Sequence, residues 1–242
     1  MRDPATTGAR ALPTSFVIRI HREGWPFILA FAAATALLFW LSVPLGWLGL
    51  VLSIWCAYFF RDPDRVTPVR AGLVISPADG VVLPVVEESP PAELELESQS
   101  LTRVSIFMNI FDVHVNRAPC DGRLVRRSYR PGRFVNASLD KASEDNERMA
   151  LRFSVDGDGQ STELTVVQIA GLIARRIVCH VDEGARVRAG ERIGIIRFGS
   201  RVDVYLPSGI APLVSAGQRV VGGETVIADL HSREPQRAGE VR

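Results

Sequence analysis

The sequence predicts an α+β fold, mainly β, carried on an N-terminal hydrophobic helical hairpin. Three observations predict it. The stretch from Trp25 to Phe60 contains no charged residue. From Gly72 onward, short apolar runs are punctuated by Pro, Asp and Gly, the pattern of strands and turns rather than of long helices. A motif G-x-x-V-x-x-G-x-x-(I/V) occurs twice in the last third, as Gly184-Val187-Gly190-Ile193 and Gly217-Val220-Gly223-Val226, offset by 33 residues.

At 242 residues the chain can hold one sizeable domain plus an accessory segment. Its net charge of +1 gives no argument for a nucleic-acid partner. Cys56, Cys120 and Cys179 are odd in number and far apart, and no Cys/His cluster has zinc spacing. They read as reduced thiols, and no metal is expected.

Taken in order, residues 1–23 are a polar segment. Residues 24–61 form the hairpin, divided near Pro44 and Gly46 into Pro26–Val43 and Leu45–Phe60. Each half is about long enough to cross a hydrocarbon core of ~20 residues. Arginines flank both outer ends (Arg19 and Arg22, then Arg61, Arg65 and Arg70) and none lies at the central turn. The positive-inside bias therefore puts both ends, and the domain that follows, on the cytoplasmic face of the cell membrane. A buried core hairpin and a re-entrant one are the competing readings.

Residues 62–232 form the β-rich domain and 233–242 a polar tail. Strands are expected at Leu73–Ile75, Val81–Val86, Thr102–Ile110, Gly122–Tyr129, Met149–Val155, Glu163–Ile169, Ile193–Phe198 and from Val202 to Leu206. Residues 87–100 read as a solvated connection and Gly132–Arg148 as a functional loop. The two glycine-valine copies resemble the quasi-twofold barrel-sandwich of biotinyl and lipoyl domains, so the fold is expected to be barrel-sandwich-like.

Between those copies lies Gly199-Ser200, at the junction of two strand-like runs. Taken alone it reads as a β-bulge or tight turn. It also places a hydroxyl beside a glycine carbonyl, the arrangement for internal attack once a base removes the serine proton. Among the histidines, His114 is the best base: it ends a strand-like run and meets Asn116 and Arg117. Asp79, in the Ser76-Pro77-Ala78-Asp79-Gly80 turn, is the carboxylate best placed to be held rigidly. His180 reads as structural; His21 and His231 are poor candidates.

Several pieces now stand in order: Phe59-Phe60-Arg61-Asp62-Pro63, the turn at 76–80, Val113-His114-Val115-Asn116-Arg117-Ala118-Pro119, Asn146-Glu147-Arg148, Gly171-Leu172-Ile173-Ala174-Arg175-Arg176-Ile177, and Phe198-Gly199-Ser200. Together they resemble the phosphatidylserine decarboxylases in their short, membrane-hairpin form, from about Trp25 to Leu230. The resemblance implies a proenzyme that cuts itself at Gly199-Ser200. Asp79 would orient His114, and His114 would deprotonate Ser200. Ester formation and elimination would leave a β chain (1–199) and an α chain (200–242) capped by a pyruvoyl group made from Ser200. Through a Schiff base to that group, phosphatidylserine in the membrane would lose CO2 and become phosphatidylethanolamine. The two chains would stay together as a heterodimer, with further oligomerisation open.

Longer members resemble Asp-Tyr-His-Arg-x-His, with a second histidine where this chain has Arg117. Arg117 then either meets lipid phosphate or carboxylate or makes a structural ion pair. Asn116 and Phe134 are the other candidate substrate contacts, and Arg201 is left without a role. The rival class is a membrane-anchored carrier or adaptor with the same barrel-sandwich, resting on the repeat and on Lys141. Lys141 lies far upstream of the first copy, where a carrier lysine would sit between the copies. A pyruvoyl decarboxylase of a soluble amino acid is the second alternative, disfavoured by the hairpin.

Overall fold

The structure, a computed structural model, describes residues 19–94, 100–132, 146–156, 162–171, 176–197 and 199–240. Phe134, Lys141, Phe198 and most of the expected 132–148 loop lie outside the described residues.

The hairpin is two helices, α1 (Trp25–Leu41) and α2 (Val43–Phe59). The chain reverses at Ser42, which is extended (φ −166°, ψ 132°), and not at Pro44. Pro44 instead occupies the first turn of α2, where its missing N–H costs nothing and its fixed φ suits the helix. The helices pack closely because Gly46 faces the Phe39 ring without room for a Cβ. Thr35 and Ser53 share a hydroxyl hydrogen bond of 2.9 Å between the helices. With its preceding turn, α1 runs Arg22–Leu41, long and apolar enough to cross a membrane; α2 is shorter. Leu29, Trp40, Val43 and Val51 point outward and uncovered.

Fourteen strands follow among the described residues: β1 (Leu73–Ile75), β2 (Gly80–Val82), β3 (Val86–Glu88), β4 (Leu101–Met108), β5 (Val115–Arg117), β6 (Gly122–Arg130), β7 (Arg148–Val155), β8 (Thr162–Ala170), β9 (Ile177–Cys179), β10 (Arg186–Val187), β11 (Arg192–Ile196), β12 (Ser200–Leu206), β13 (Arg219–Val220) and β14 (Val226–Asp229). The main sheet has the order β10-β6-β7-β8-β12-β4-β2-β13, with β3 beside β4. A three-stranded sheet β5-β11-β9 and the pair β1-β14 pack against it. The sheets are sandwich-like and do not close into a barrel. The expected solvated connection at 87–100 is more ordered than its composition suggests. It contains β3 and a 3-10 turn at Ala92–Leu94 that buries Leu94.

The repeat is built as its spacing implies. β10 and β13 occupy opposite ends of the main sheet, on β6 and β2 respectively. Gly184 and Gly217 donate to the carbonyls of Leu124 and Val82, and Gly190 and Gly223 to those of Ala118 and Ser76. All four have φ near +80°, a region that favours glycine.

β12 lies in the middle of the main sheet, paired on both sides with β4 and β8. Its alternate residues face different layers. Val202, Val204 and Leu206 enter the main core with Val104, Ile106, Leu151, Phe153 and Val166. Arg201, Asp203 and Tyr205 face the other side, where Tyr205 clusters with Ala150, Val167 and Ile169 of the neighbouring strands and with Leu94 from outside the sheet. Arg201 there binds Asp203 in a fully buried pair, Nε–Oδ1 2.8 Å and Nη2–Oδ2 2.9 Å. The cost of taking both charges out of water offsets the attraction within a buried pair of this kind.

The hairpin docks on the three-stranded sheet. Cys56, Phe59 and Phe60 are buried with Val113, Val115 and Ile195, and Phe27, Phe31 and Trp55 pack around them. Burying each of these phenylalanines stabilises the docking by about 1.5–3 kcal/mol. Polar contacts fasten the same junction: Arg22 to His180 (2.8 Å), His21 stacked on His180, and Arg197 to Glu23 (2.5 Å).

Candidate active site

Gly199-Ser200 sits where β12 begins. Gly199 has φ +74°, which a residue with a Cβ rarely adopts. Its N–H donates to His114 Nε2 at 3.2 Å and its carbonyl accepts from Gly171 N–H at 3.0 Å. Ser200 is fully buried, paired with Met108 of β4 and Ala170 of β8. Its hydroxyl contacts Met108 Sδ at 3.8 Å.

His114 is brought to this bond by β5, which pairs with β11 and so holds the 112–117 segment beside the approach to Gly199. Its Nδ1 lies 3.0 Å from the Asp112 carbonyl. A carbonyl can only accept, and Nε2 receives the Gly199 N–H, so the neutral ring carries its proton on Nδ1 and its one lone pair, at Nε2, is held by that N–H. The ring is fully buried, 4.3 Å from the Phe59 ring at the foot of α2. Burial pushes its pKa down to about 4, opposed by the hydrogen bond and charge of Asp112 and reinforced by Arg61. His114 is therefore an unprotonated base at neutral pH, one residue from the serine it would deprotonate.

Asp79 does not reach His114. Its Oδ2 accepts from Arg65 (2.7 Å) and its Oδ1 from Gly222 N–H (2.7 Å), tying the 76–80 turn to the second glycine repeat. Burial raises its pKa, against the pull of Arg65 and of the Gly222 hydrogen bond. The orienting acceptor for His114 is the Asp112 main chain, which carries no sequence signature of its own.

Arg117 is committed to structure. Its Nη1 donates to Gly190 O (2.9 Å), and its Nη2 to Pro63 O (2.8 Å) and toward Asp62 (3.5 Å). Asp62 also receives Arg192 Nε at 2.7 and 2.8 Å. Burial lowers the Arg117 pKa to about 10, with Arg192 adding to the effect and Asp62 opposing it. Of the two readings its position left open, the ion pair is the one these contacts make.

Asn116 is fully buried beside Ser200: its Nδ2 meets Met108 Sδ at 3.8 Å and its Oδ1 accepts from Gln168 Nε2 at 2.7 Å. Gln168 shares the inner face with Ser200, and its Oε1 is buried without a hydrogen-bond partner. Sequence reading missed Gln168, which looks like any polar residue in a strand, and gave Gly171 no role beyond opening the 171–177 piece, because its contribution is a backbone N–H. The Asn146-Glu147-Arg148 motif braces that N–H. Asn146 Nδ2 donates to Ala170 O (2.7 Å), Ala170 N–H to Glu147 O (2.9 Å), and Arg148 is held by Glu93 (2.6 Å). A cleft of about 810 Å³ between residues 67–73 and 186–191 contains none of these groups.

A buried serine behind a glycine, a neutral histidine at the same peptide and a backbone donor on its carbonyl together make a place for internal acyl transfer. The family model described as phosphatidylserine decarboxylase matches residues 52–228. The chain is 60% identical over 223 residues to a phosphatidylserine decarboxylase proenzyme of Paramagnetospirillum magneticum, covering 92% of each. It is 56% identical to proenzymes of the same name from Cereibacter sphaeroides (95% of this chain, 97% of the relative) and Ruegeria pomeroyi (89% and 97%). Matches that span the hairpin foot, the His114 segment and Gly199-Ser200 at this identity leave one conclusion: the chain belongs to the phosphatidylserine decarboxylase family.

Proposed function

We propose that this chain activates itself at Gly199-Ser200 and then performs the family reaction, decarboxylation of phosphatidylserine to phosphatidylethanolamine and CO2. As a family member it is a lyase of phospholipid biosynthesis made as a proenzyme. The observation that carries the self-cleavage reading is the position of His114 Nε2, 3.2 Å from the nitrogen of Gly199, the residue that precedes the buried serine.

The proposed steps use this chain's own groups. The Gly199 N–H leaves His114 Nε2 and the Ser200 hydroxyl turns from Met108 Sδ to take its place; Nε2 then takes the hydroxyl proton as Oγ bonds to the Gly199 carbonyl carbon. Charge growing on the carbonyl oxygen meets Gly171 N–H, the donor already in place. The C–N bond breaks, the Ser200 nitrogen takes the proton from His114, and the peptide becomes an ester. Removal of the residue-200 Cα proton expels the Gly199 carboxylate and leaves dehydroalanine. Tautomerisation and hydrolysis of that residue release ammonia and give the pyruvoyl group.

The site suits that group, which is smaller than serine and keeps its amide link to Arg201. Ser200 lies against Met108, which Asn116 also touches, and the pyruvoyl group, which has no donor, leaves the unpartnered Gln168 Oε1 to accept from the substrate amine. Once formed, the group supplies a carbonyl for the substrate amine and an electron sink for loss of CO2. His114 Nε2 is the proton carrier at that place. Because Ser200 is sealed in the uncut chain, the new Gly199 end is what must move to admit substrate.

The α chain (200–242) would stay with the β chain (1–199) through β12, β13 and β14, which pair with β4 and β8, β2, and β1. The apolar N-terminal helix associates the protein with a membrane. The arginines at both hairpin ends favour the cytoplasmic side for the catalytic domain.

Intact mass spectrometry of wild type beside Ser200→Ala tests the reading. It expects two wild-type pieces split at 199/200, the smaller without a free amino terminus, and an uncut variant. A wild type that stays one chain of 242 residues overturns it.

A further inference from the structure

We propose that the turn at residues 109–112 is a second membrane contact, in which Ile110 and Phe111 enter the acyl region of a phospholipid bilayer beside the hairpin. The inference goes beyond the decarboxylase reading and rests on the hairpin being the membrane anchor.

The turn is rigid and inverted in polarity. Asn109 N–H donates to Asp112 Oδ2 (2.9 Å), Phe111 N–H to Asn109 Oδ1 (2.8 Å) and Asp112 N–H to Asn109 O (3.0 Å). Its polar side chains thus turn inward onto its own backbone. Its two large apolar side chains turn outward, Ile110 39% and Phe111 58% exposed. One exposed apolar residue needs no explanation; this pair is set apart by where it stands. Arg61, just beyond α2, donates to Tyr58 O (2.9 Å) and to Phe111 O (2.7 Å). The turn is therefore bolted to the foot of the hairpin, where the Tyr58 ring is itself half exposed under the Arg61 guanidinium at 3.8 Å. Arg219, two-thirds exposed and paired with Asp112, flanks the other side. Apolar tip, aromatic ring and flanking arginines form the pattern of a surface seated at the headgroup level.

Asp112 gives this contact its catalytic meaning. The residue that closes the turn also holds His114 Nδ1 with its carbonyl. The bilayer contact and the orientation of the base are thus built from the same short segment.

The test places an environment-sensitive fluorophore at Phe111→Cys in full-length protein with Cys179→Ser, since Cys56 and Cys120 are buried. The protein is reconstituted in phosphatidylcholine/phosphatidylserine vesicles containing lipid spin-labelled near the headgroup end of the acyl chain. Ser208→Cys, beyond the far end of β12, is the reference. The proposal expects quenching at position 111 several-fold above that at 208; equal quenching overturns it. Vesicle flotation separates the two readings. Protein that floats without quenching at 111 defeats this inference alone, and protein that does not float defeats the anchor and the inference together. Neither readout needs decarboxylase activity. On the cleaved enzyme, Phe111→Ser is expected to raise the KM for phosphatidylserine surface fraction several-fold, with Phe111→Leu restoring it; an unchanged KM in the serine variant also overturns the proposal.

Discussion

Replacing Phe59 with alanine tests whether the hairpin is part of the catalytic machinery or only its tether. The Phe59 ring is fully buried, 4.3 Å from His114, 5.0 Å from Phe60 and 5.8 Å from Trp55. Removing it costs about 3–5 kcal/mol of packing, and it opens the wall that keeps water from the imidazole. Burial is the largest cause of the low His114 pKa, so that value is expected to rise from about 4 toward the ordinary 6.5. At pH 5.5 the neutral fraction would fall from nearly all to about one in ten, slowing self-cleavage by up to about tenfold; at pH 7.5 it would hardly change. The assay is cleavage into the two chains, followed on denaturing gels across pH 5 to 8, for wild type, Phe59→Ala and Phe59→Leu. The acid limb of the alanine variant should move upward and that of the leucine variant should stay near wild type. A folded alanine variant whose acid limb coincides with wild type would refute the reasoning, because His114 would then owe its neutrality to something other than the hairpin foot.

Two other outcomes follow from the same site. His114 is depressed in the folded chain, so the unfolded chain binds its proton first. Stability from this group is complete above pH 6.5 and lost as pH falls toward 4, by about 3 kcal/mol in all. Denaturant titrations of Ser200→Ala should show that slope, and Ser200→Ala with His114→Gln should lack it. Gly171→Pro removes the donor on the scissile carbonyl and should slow self-cleavage by about 10²–10³, whereas Gly171→Ala keeps the N–H and should cut at near the normal rate; equal rates in the two variants would exclude Gly171 as the donor.

The parts of this protein that were legible in the sequence are those encoded in side chains. An uncharged run marks the hairpin, period-two runs mark β4, β7, β8 and β12, and paired glycines mark the turns around β10 and β13. Gly199-Ser200 and His114 were singled out in the sequence by residue type, and the structure lays Gly199 N 3.2 Å from His114 Nε2. What was not legible is carried by the main chain or by distant packing. The Asp112 carbonyl and the Gly171 N–H could belong to any residue, so the orienting role was expected of Asp79, the conspicuous carboxylate. Asp79 is drawn instead to Arg65 and Gly222. β5 and β9 are three residues each, too short for a period to show. Phe59 stands in the 59–63 piece with no role attached until the fold lays it on a histidine far along the chain.

The position of β12 also bears on the order in which the protein is made. The strand that begins with Ser200 is inserted between β4 and β8, and the last two strands close onto β2 and β1 near the start of the domain. A ribosome must therefore release almost the entire chain before the scissile peptide is seated beside His114. Until then β1 and β2 lack their edge partners and the loop over Asp79 is missing. A prematurely terminated product would retain its greasy hairpin and reach the membrane, yet remain inert. Under the proposed self-cleavage, a cut at 199/200 would therefore report that nearly all of the chain has been made and that both ends of the domain have met.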